Sequence, residues 1–193
     1  MKLKILFIAI SVLVFSNSYA ENHIIPLKVE KLSQAEAEKI YQAEQKNYKQ
    51  PFPSSHSNPI YSQSFKVNFE GNHYSFLPIT DVPLKVDYSG CSLALYKENI
   101  SEGSVNFECS DVTAMSFFLR KENKRLYVMV NIRKWVQEQK DDIPSTLLFT
   151  YPQKSSNLNL QLSNASGEIS KAKTIAEGKK YFNLYFDKHP DRW

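Results

Sequence analysis

The chain has 193 residues, 42% of them hydrophobic and 13% aromatic, with only five glycines and two cysteines. That composition can build a core, and it excludes a disordered or collagen-like chain. A formal net charge of +4 is too small to argue for nucleic acid or a membrane surface as the partner.

The first residues read MKLKILFIAISVLVFSNSYA. Lys2 and Lys4 precede an apolar run from Ile5 to Phe15, broken only by Ser11, and Ser18 and Ala20 place small residues where a signal peptidase reads them. The run is shorter than the ~20 residues a permanent transmembrane helix needs. Residues 1–20 are therefore expected to be a cleaved signal peptide, with Glu21 the mature terminus and no stable membrane insertion afterwards. No cysteine follows closely enough to carry a lipid. Cleavage also removes Lys2 and Lys4, and the formal charge falls to +2. The expected location is periplasmic or secreted.

In the mature chain, Ser33 and Glu36 form a capping box at the head of AEAEKIYQAEQKNYK, where Ala37, Ile40, Tyr41 and Tyr48 recur near helical spacing. One amphipathic helix is expected over residues 34–49. Pro51 and Pro53 stop it, and an extended linker runs to Pro59. From Tyr61 the period becomes two. Phe65, Val67 and Phe69 alternate with polar residues, and Gly71-Asn72 reads as a two-residue hairpin turn that sets Phe69 opposite Tyr74 and Val67 opposite Phe76. Val82, Leu84, Val86 and Tyr88 form a further alternating stretch, with Pro83 favouring an edge or a strand start. Residues 115–119 and 126–132 form a hairpin around the charged tip RKENKR, and the continuous apolar run of the second arm predicts a strand covered on both faces. IRKWVQEQK, residues 132–140, reads as a short helix. Leu147-Leu148-Phe149 and Leu158, Leu160 and Leu162 read as two strands. Residues 181–186 read as a closing strand, with helix left open by the aromatics. No internal repeat is present.

The sum is a mainly β (α+β) protein: an antiparallel sheet or sandwich of about eight or nine strands with one N-terminal helix and a disulfide-stapled hairpin. Residues 21–60 supply the helix and linker, and residues 61–193 the β domain, packing together as one domain.

Both cysteines flank one short unit, SGCSLALYKENISEGSVNFECSD. In an oxidising compartment such a pair is by default a disulfide. An antiparallel register joining Cys91 to Cys109 also sets Leu93 opposite Phe107 and Leu95 opposite Val105, with 97–103 as the turn. Directly opposed strand residues have Cα atoms about 4.5–5.5 Å apart, within disulfide reach. Closing so short a ring stabilises by roughly 3 kcal/mol.

Motifs for chemistry are sparse. Gly90-Cys91-Ser92 lacks the closing glycine of a nucleophile elbow. There is no HExxH, EF-hand loop or Gly-rich phosphate cradle. His23, His56, His73 and His189 are far apart in sequence, and Asp141-Asp142 read as the solvated end of the short helix. No cofactor and no catalytic residue is expected. Two features point to binding. Arg120, Lys121, Lys124 and Arg125 surround one glutamate at a hairpin tip, either a charge-protected turn or a contact for an acidic partner. Ile100 stands alone at the stapled tip. Asn99-Ile100-Ser101 and Asn164-Ala165-Ser166 match the glycosylation acceptor pattern, read here as chance matches. The leading expectation is a non-enzymatic exported binding protein, within that class an inhibitor or immunity-type protein that blocks the active site of another protein such as an acidic toxin or enzyme. The alternatives are an envelope hydrolase with a site assembled from distant strands, and an adhesin or envelope assembly factor that offers a sheet edge.

Overall fold

The computed structural model describes residues 22–47, 57–85, 88–136, 138–151, 161–163 and 165–190. Residues 1–20, expected as a signal peptide, Glu21, Tyr48 of the expected helix, residues 50–56 of the linker, Val86, Leu158, Leu160 and Asn164 lie outside the described residues. The strands are β1 (Ile24–Pro26), β2 (Val29–Lys31), β3 (Asn58–Pro59), β4 (Phe65–Phe69), β5 (Asn72–Lys85), β6 (Tyr88–Lys97), β7 (Ile100–Phe107), β8 (Asp111–Arg120), β9 (Leu126–Val136), β10 (Asp141–Tyr151) and β11 (Gln161–Leu162). The helices are α1 (Gln34–Asn47), α2 (Ser166–Ile169) and α3 (Ile175–Lys188), with a 3₁₀ turn at Tyr61–Gln63.

The strands form two antiparallel sheets. Sheet A runs β1-β8-β9-β10-β11, and sheet B runs β2-β4-β5-β6-β7 with β3 also on β5. Val67, Phe76, Leu93 and Leu95 of sheet B pack against Phe117, Val128, Val130, Ile132 and Phe149 of sheet A in one core. Phe76 and Phe149 are almost wholly buried, each contributing on the order of 1.5–3 kcal/mol. Outside sheet B, Leu32, Ala37 and Ile40 of the α1 region cover Leu77, Ile79 and Ala94. Outside sheet A, Phe182, Tyr185 and Phe186 of α3 and Ile169 of α2 cover Phe118, Tyr127, Met129 and Leu148. The result is four layers, helix, sheet, sheet, helix, because each sheet alternates apolar residues to both of its faces.

The expected capping box is present. Ser33 N–H donates to Glu36 Oε2 at 3.0 Å, and Glu36 N–H donates to Ser33 Oγ at 3.3 Å. β9 is the central strand of sheet A, and residues 126–132 are buried on both sides.

Four expectations are corrected. Tyr61 begins the 3₁₀ turn rather than a strand. The β4–β5 turn is Glu70-Gly71, which pairs Phe69 with Asn72 and Val67 with Tyr74. Both turn residues have positive φ (51° and 76°), the conformation of a primed two-residue turn that favours glycine in the second place. The expected short helix at 132–140 is instead the end of β9 and a turn leading into β10, with Trp135 paired to Asp142. The β-branched and aromatic residues Ile132, Trp135 and Val136 fit a pleated ladder. Residues 181–186 lie in α3, whose Thr174 cap accepts from Glu177 N–H at 3.2 Å. Phe182, Tyr185 and Phe186 stand at i, i+3 and i+4 on its buried face.

Candidate functional site

Cys91 and Cys109 are joined, with Cα atoms 5.5 Å apart. The register differs from the expected one by two residues: Cys91 pairs with Phe107, Leu93 with Val105 and Leu95 with Gly103. The physical cause is again a tight turn. Glu98 and Asn99, at φ 48° and 68°, close the hairpin in two residues, so Lys97 pairs with Ile100. Cys109 therefore lies beyond β7, and the staple ties the base of the hairpin to the chain leaving it. A bulge between Leu95 and Tyr96 absorbs the extra residue near the tip.

That tip is held from two more sides. Glu98 N–H donates to His73 O at 3.0 Å, and His73 N–H donates to Glu98 Oε1 at 2.6 Å, fastening it to the β4–β5 hairpin. Behind it, Glu44 of α1 is 3% exposed and accepts from Tyr96 Oη at 2.7 Å and Ser101 Oγ at 3.3 Å. Burial first, then this carboxylate, pushes the Tyr96 phenol far above its ordinary value. Ile100 stands out of the fixed frame, 69% exposed.

The charged turn between β8 and β9 emerges at the same end of the sandwich. Tyr74, paired with Lys97 beside the stapled tip, packs 5.2 Å from Tyr151, which pairs with Leu126 beside the charged turn. Burial, then Tyr74, Glu102 and Glu70, raises the Tyr151 phenol, so these two carboxylates stand nearby. The end surface has a basic side, Lys121 and Lys124, both exposed, and an acidic side with Glu70, Glu98 and Glu102.

The structure divides the four cations of the turn. Lys121 and Lys124 are exposed, whereas Arg125 is half-buried with its Nε withdrawn from solvent. Arg120 is 1% exposed, so it is not offered at the tip as expected. It shares the outward face of β8 with Phe118, two residues earlier, and lies 3.8 Å over the Phe186 ring while donating Nε–H to Glu122 Oε2 at 2.7 Å. Composition alone missed this; the strand alternation carried the signal.

His23, Glu122 and Asp187 were also missed as a group, because they come from three distant segments. Of the other histidines, His73 is exposed and His189 stacks on Tyr185. Among the described residues, no group of three His, Cys, Asp or Glu could hold a metal ion. Asp141 and Asp142 open β10 rather than ending a helix, and Asp142 accepts from Ser110 Oγ at 2.9 Å. Among the described residues no helix is long and apolar enough to cross a membrane. No protein-family model matches the chain, and neither a curated protein nor a solved structure matches it significantly.

Proposed function

We propose that this chain is an exported binding protein that docks to another protein through the end of the sandwich carrying the stapled tip and the charged turn. The observation that carries the reading is Ile100, a large apolar side chain 69% exposed at the first residue of β7, directly after a two-residue turn in a hairpin that is fixed at its base and flanks. A fixed loop loses little conformational freedom on docking, and an apolar anchor within a charged rim is the arrangement of an interface hot spot. The partner that fits has an apolar pocket for Ile100 and an acidic rim for Lys121 and Lys124. Blocking such a partner's active site, as an inhibitor or immunity-type protein does, is the function this supports best. Capture from envelope extract with the oxidised protein, followed by mass spectrometry, tests it: one partner should be retained by the wild type and lost by Ile100→Asp. Equal retention by both removes the stapled tip from the interface.

A second reading is strand addition. β7 ends sheet B, and beside it opens a crevice of about 420 Å³ lined by Val105, Phe107, Ile132, Leu147 and Phe149 among others. In that case Ile100→Asp leaves capture intact, and proline at Asn106 abolishes it.

A further inference from the structure

The end of sheet A that bears the charged turn is closed by a small ionic group centred on His23, which is 6% exposed just ahead of β1, with its two carboxylate partners partly open to solvent. Its Nδ1 bonds the Glu122 carboxylate of the β8–β9 turn, and its Nε2 lies 2.9 Å from Asp187 Oδ1 of α3. Its backbone is held by the same two elements. His23 N–H donates to Asn183 Oδ1 at 3.0 Å, and its carbonyl accepts from Lys121 N–H at 2.9 Å. One residue thus joins an amino-terminal edge strand, a turn nearly 100 residues later, and the last helix.

The pairing has a protonation requirement. A neutral imidazole carries one N–H, so between two carboxylates one ring nitrogen must present its lone pair to an oxygen. The imidazolium donates to both. The charges also balance only in that form: His23 and Arg120 are the cations, Glu122 and Asp187 the anions.

We infer that His23 is a pH-operated latch, which as imidazolium fastens β1 to the β8–β9 turn and α3, and on losing its proton releases one carboxylate and loosens that edge. The facing groups come from each packed element: Glu122 and Arg120 from β8 and its turn, and Asp187 from α3. Lys121 contributes its backbone only, since its side chain is exposed, and β1 has no titratable side chain. His189 turns to Tyr185, whose carbonyl its Nδ1 contacts at 2.9 Å. β1 is a short edge strand: three pairs with β8, the Leu27 N–H to Phe117 O bond and the buried Ile24 side chain hold it beside the His23 contacts.

The direction of the titrations agrees with the geometry. Burial alone would lower His23, but hydrogen bonds and charge from Glu122 and Asp187 together outweigh it and raise the imidazole above its ordinary value. Burial likewise opposes ionisation of Glu122, and His23 and Arg120 outweigh it and lower that carboxyl. With the folded value raised, the latch is fully closed below the ordinary imidazole value of about 6.5 and opens as pH rises through the folded one.

The test is an NMR titration of the oxidised protein from about pH 5 to 9, across the imidazole range. The His23 ring should titrate above about 6.5, and the amides of Ile24, Lys121 and Asn183 should shift with the same midpoint while those of β5 and β6 do not. Hydrogen exchange at β1 should gain a protection loss over that interval beyond the intrinsic rate. Asp187→Asn, which keeps an acceptor and removes a charge, should lower the midpoint. A His23 midpoint at or below about 6.5, amides of the three elements that do not follow it, or a midpoint unmoved by Asp187→Asn overturns the latch.

Discussion

Arg120 illustrates how one side chain can reverse a composition argument. Four cations around a glutamate suggest a solvated tip, yet strand alternation turns Arg120 under α3, where Glu122 and the Phe186 ring receive it. Removing one member of a buried pair typically costs about 3–5 kcal/mol. Glu122 keeps 29% of its side chain exposed, so Arg120→Met should cost about 3 kcal/mol, the lower end of that range, in urea unfolding. The double change Arg120→Met with Glu122→Gln should cost less than the sum of the singles, because it leaves no lone charge; strict additivity would show that the pair is uncoupled. Glu36 behaves differently. Lys66 first, then Ser33, holds its carboxyl down to about 2, although its side chain is 42% exposed. A lowered folded value means that the stabilisation is present above the ordinary glutamate range and lost as pH falls from about 4.5 towards 2. The helical circular dichroism of α1 should weaken over that interval, and Glu36→Gln should remove the step.

At the scale of elements, tight-turn chemistry decides what could be read. The pairing of β4 with β5 and of β6 with β7 was legible from alternation, and so was the Cys91–Cys109 link. Both registers missed by two residues because the positive-φ pairs Glu70-Gly71 and Glu98-Asn99 make the turns, the first one residue earlier than expected and the second far shorter than the expected 97–103. A slip of two keeps every residue on its face, so the core survived the error. The short helix expected before β10 and the strand expected at 181–186 failed for another reason: short apolar-aromatic runs fit both periods, and only pairing or capping separates them. Thr174 and Glu177 were the available signal for α3, and Ser33 and Glu36 the one that was read. Replacing both cysteines with serine should cost about 3 kcal/mol and lower the melting temperature of the oxidised protein, since the bridge closes an 18-residue separation. Gly178 tests the docking of α3. A Cβ there would lie 2.6 Å from Met129 Sδ and 3.2 Å from Thr146 Cγ2, and Met129 is fully buried. Gly178→Ala should therefore destabilise by about 1–3 kcal/mol despite its better helix propensity, with partial rescue by Met129→Ala. A gain in stability would mean that α3 sits more loosely on sheet A.

For the whole molecule, four layers leave the ends of the sheets, not their faces, as the places where loops meet. The outer face of sheet B is covered in part by α1 and that of sheet A by α2 and α3, so hairpin tips from both sheets gather where Tyr74 meets Tyr151. Sequence could name Ile100, Lys121 and Lys124 singly but not bring them to one end, because that depends on how the sheets stack. If this end docks, its two halves act at different stages of association. Lys121 and Lys124 are exposed and work at a distance, so Lys121→Glu with Lys124→Glu should slow association about tenfold at ~0.01 M salt and far less at ~0.15 M, where the screening length falls from about 30 to about 8 Å. Ile100 acts only after contact. Ile100→Asp should leave the on-rate near wild type and speed dissociation by about tenfold or more, the effect of losing a buried anchor. Surface plasmon resonance with the captured partner at both salt concentrations reads the two effects separately. A salt-independent loss in the lysine variant would mean that Lys121 and Lys124 make direct contacts instead of steering. If neither variant changes a rate while both remain folded, the hairpin end is not the interface, and the edge at β7 becomes the surface to test.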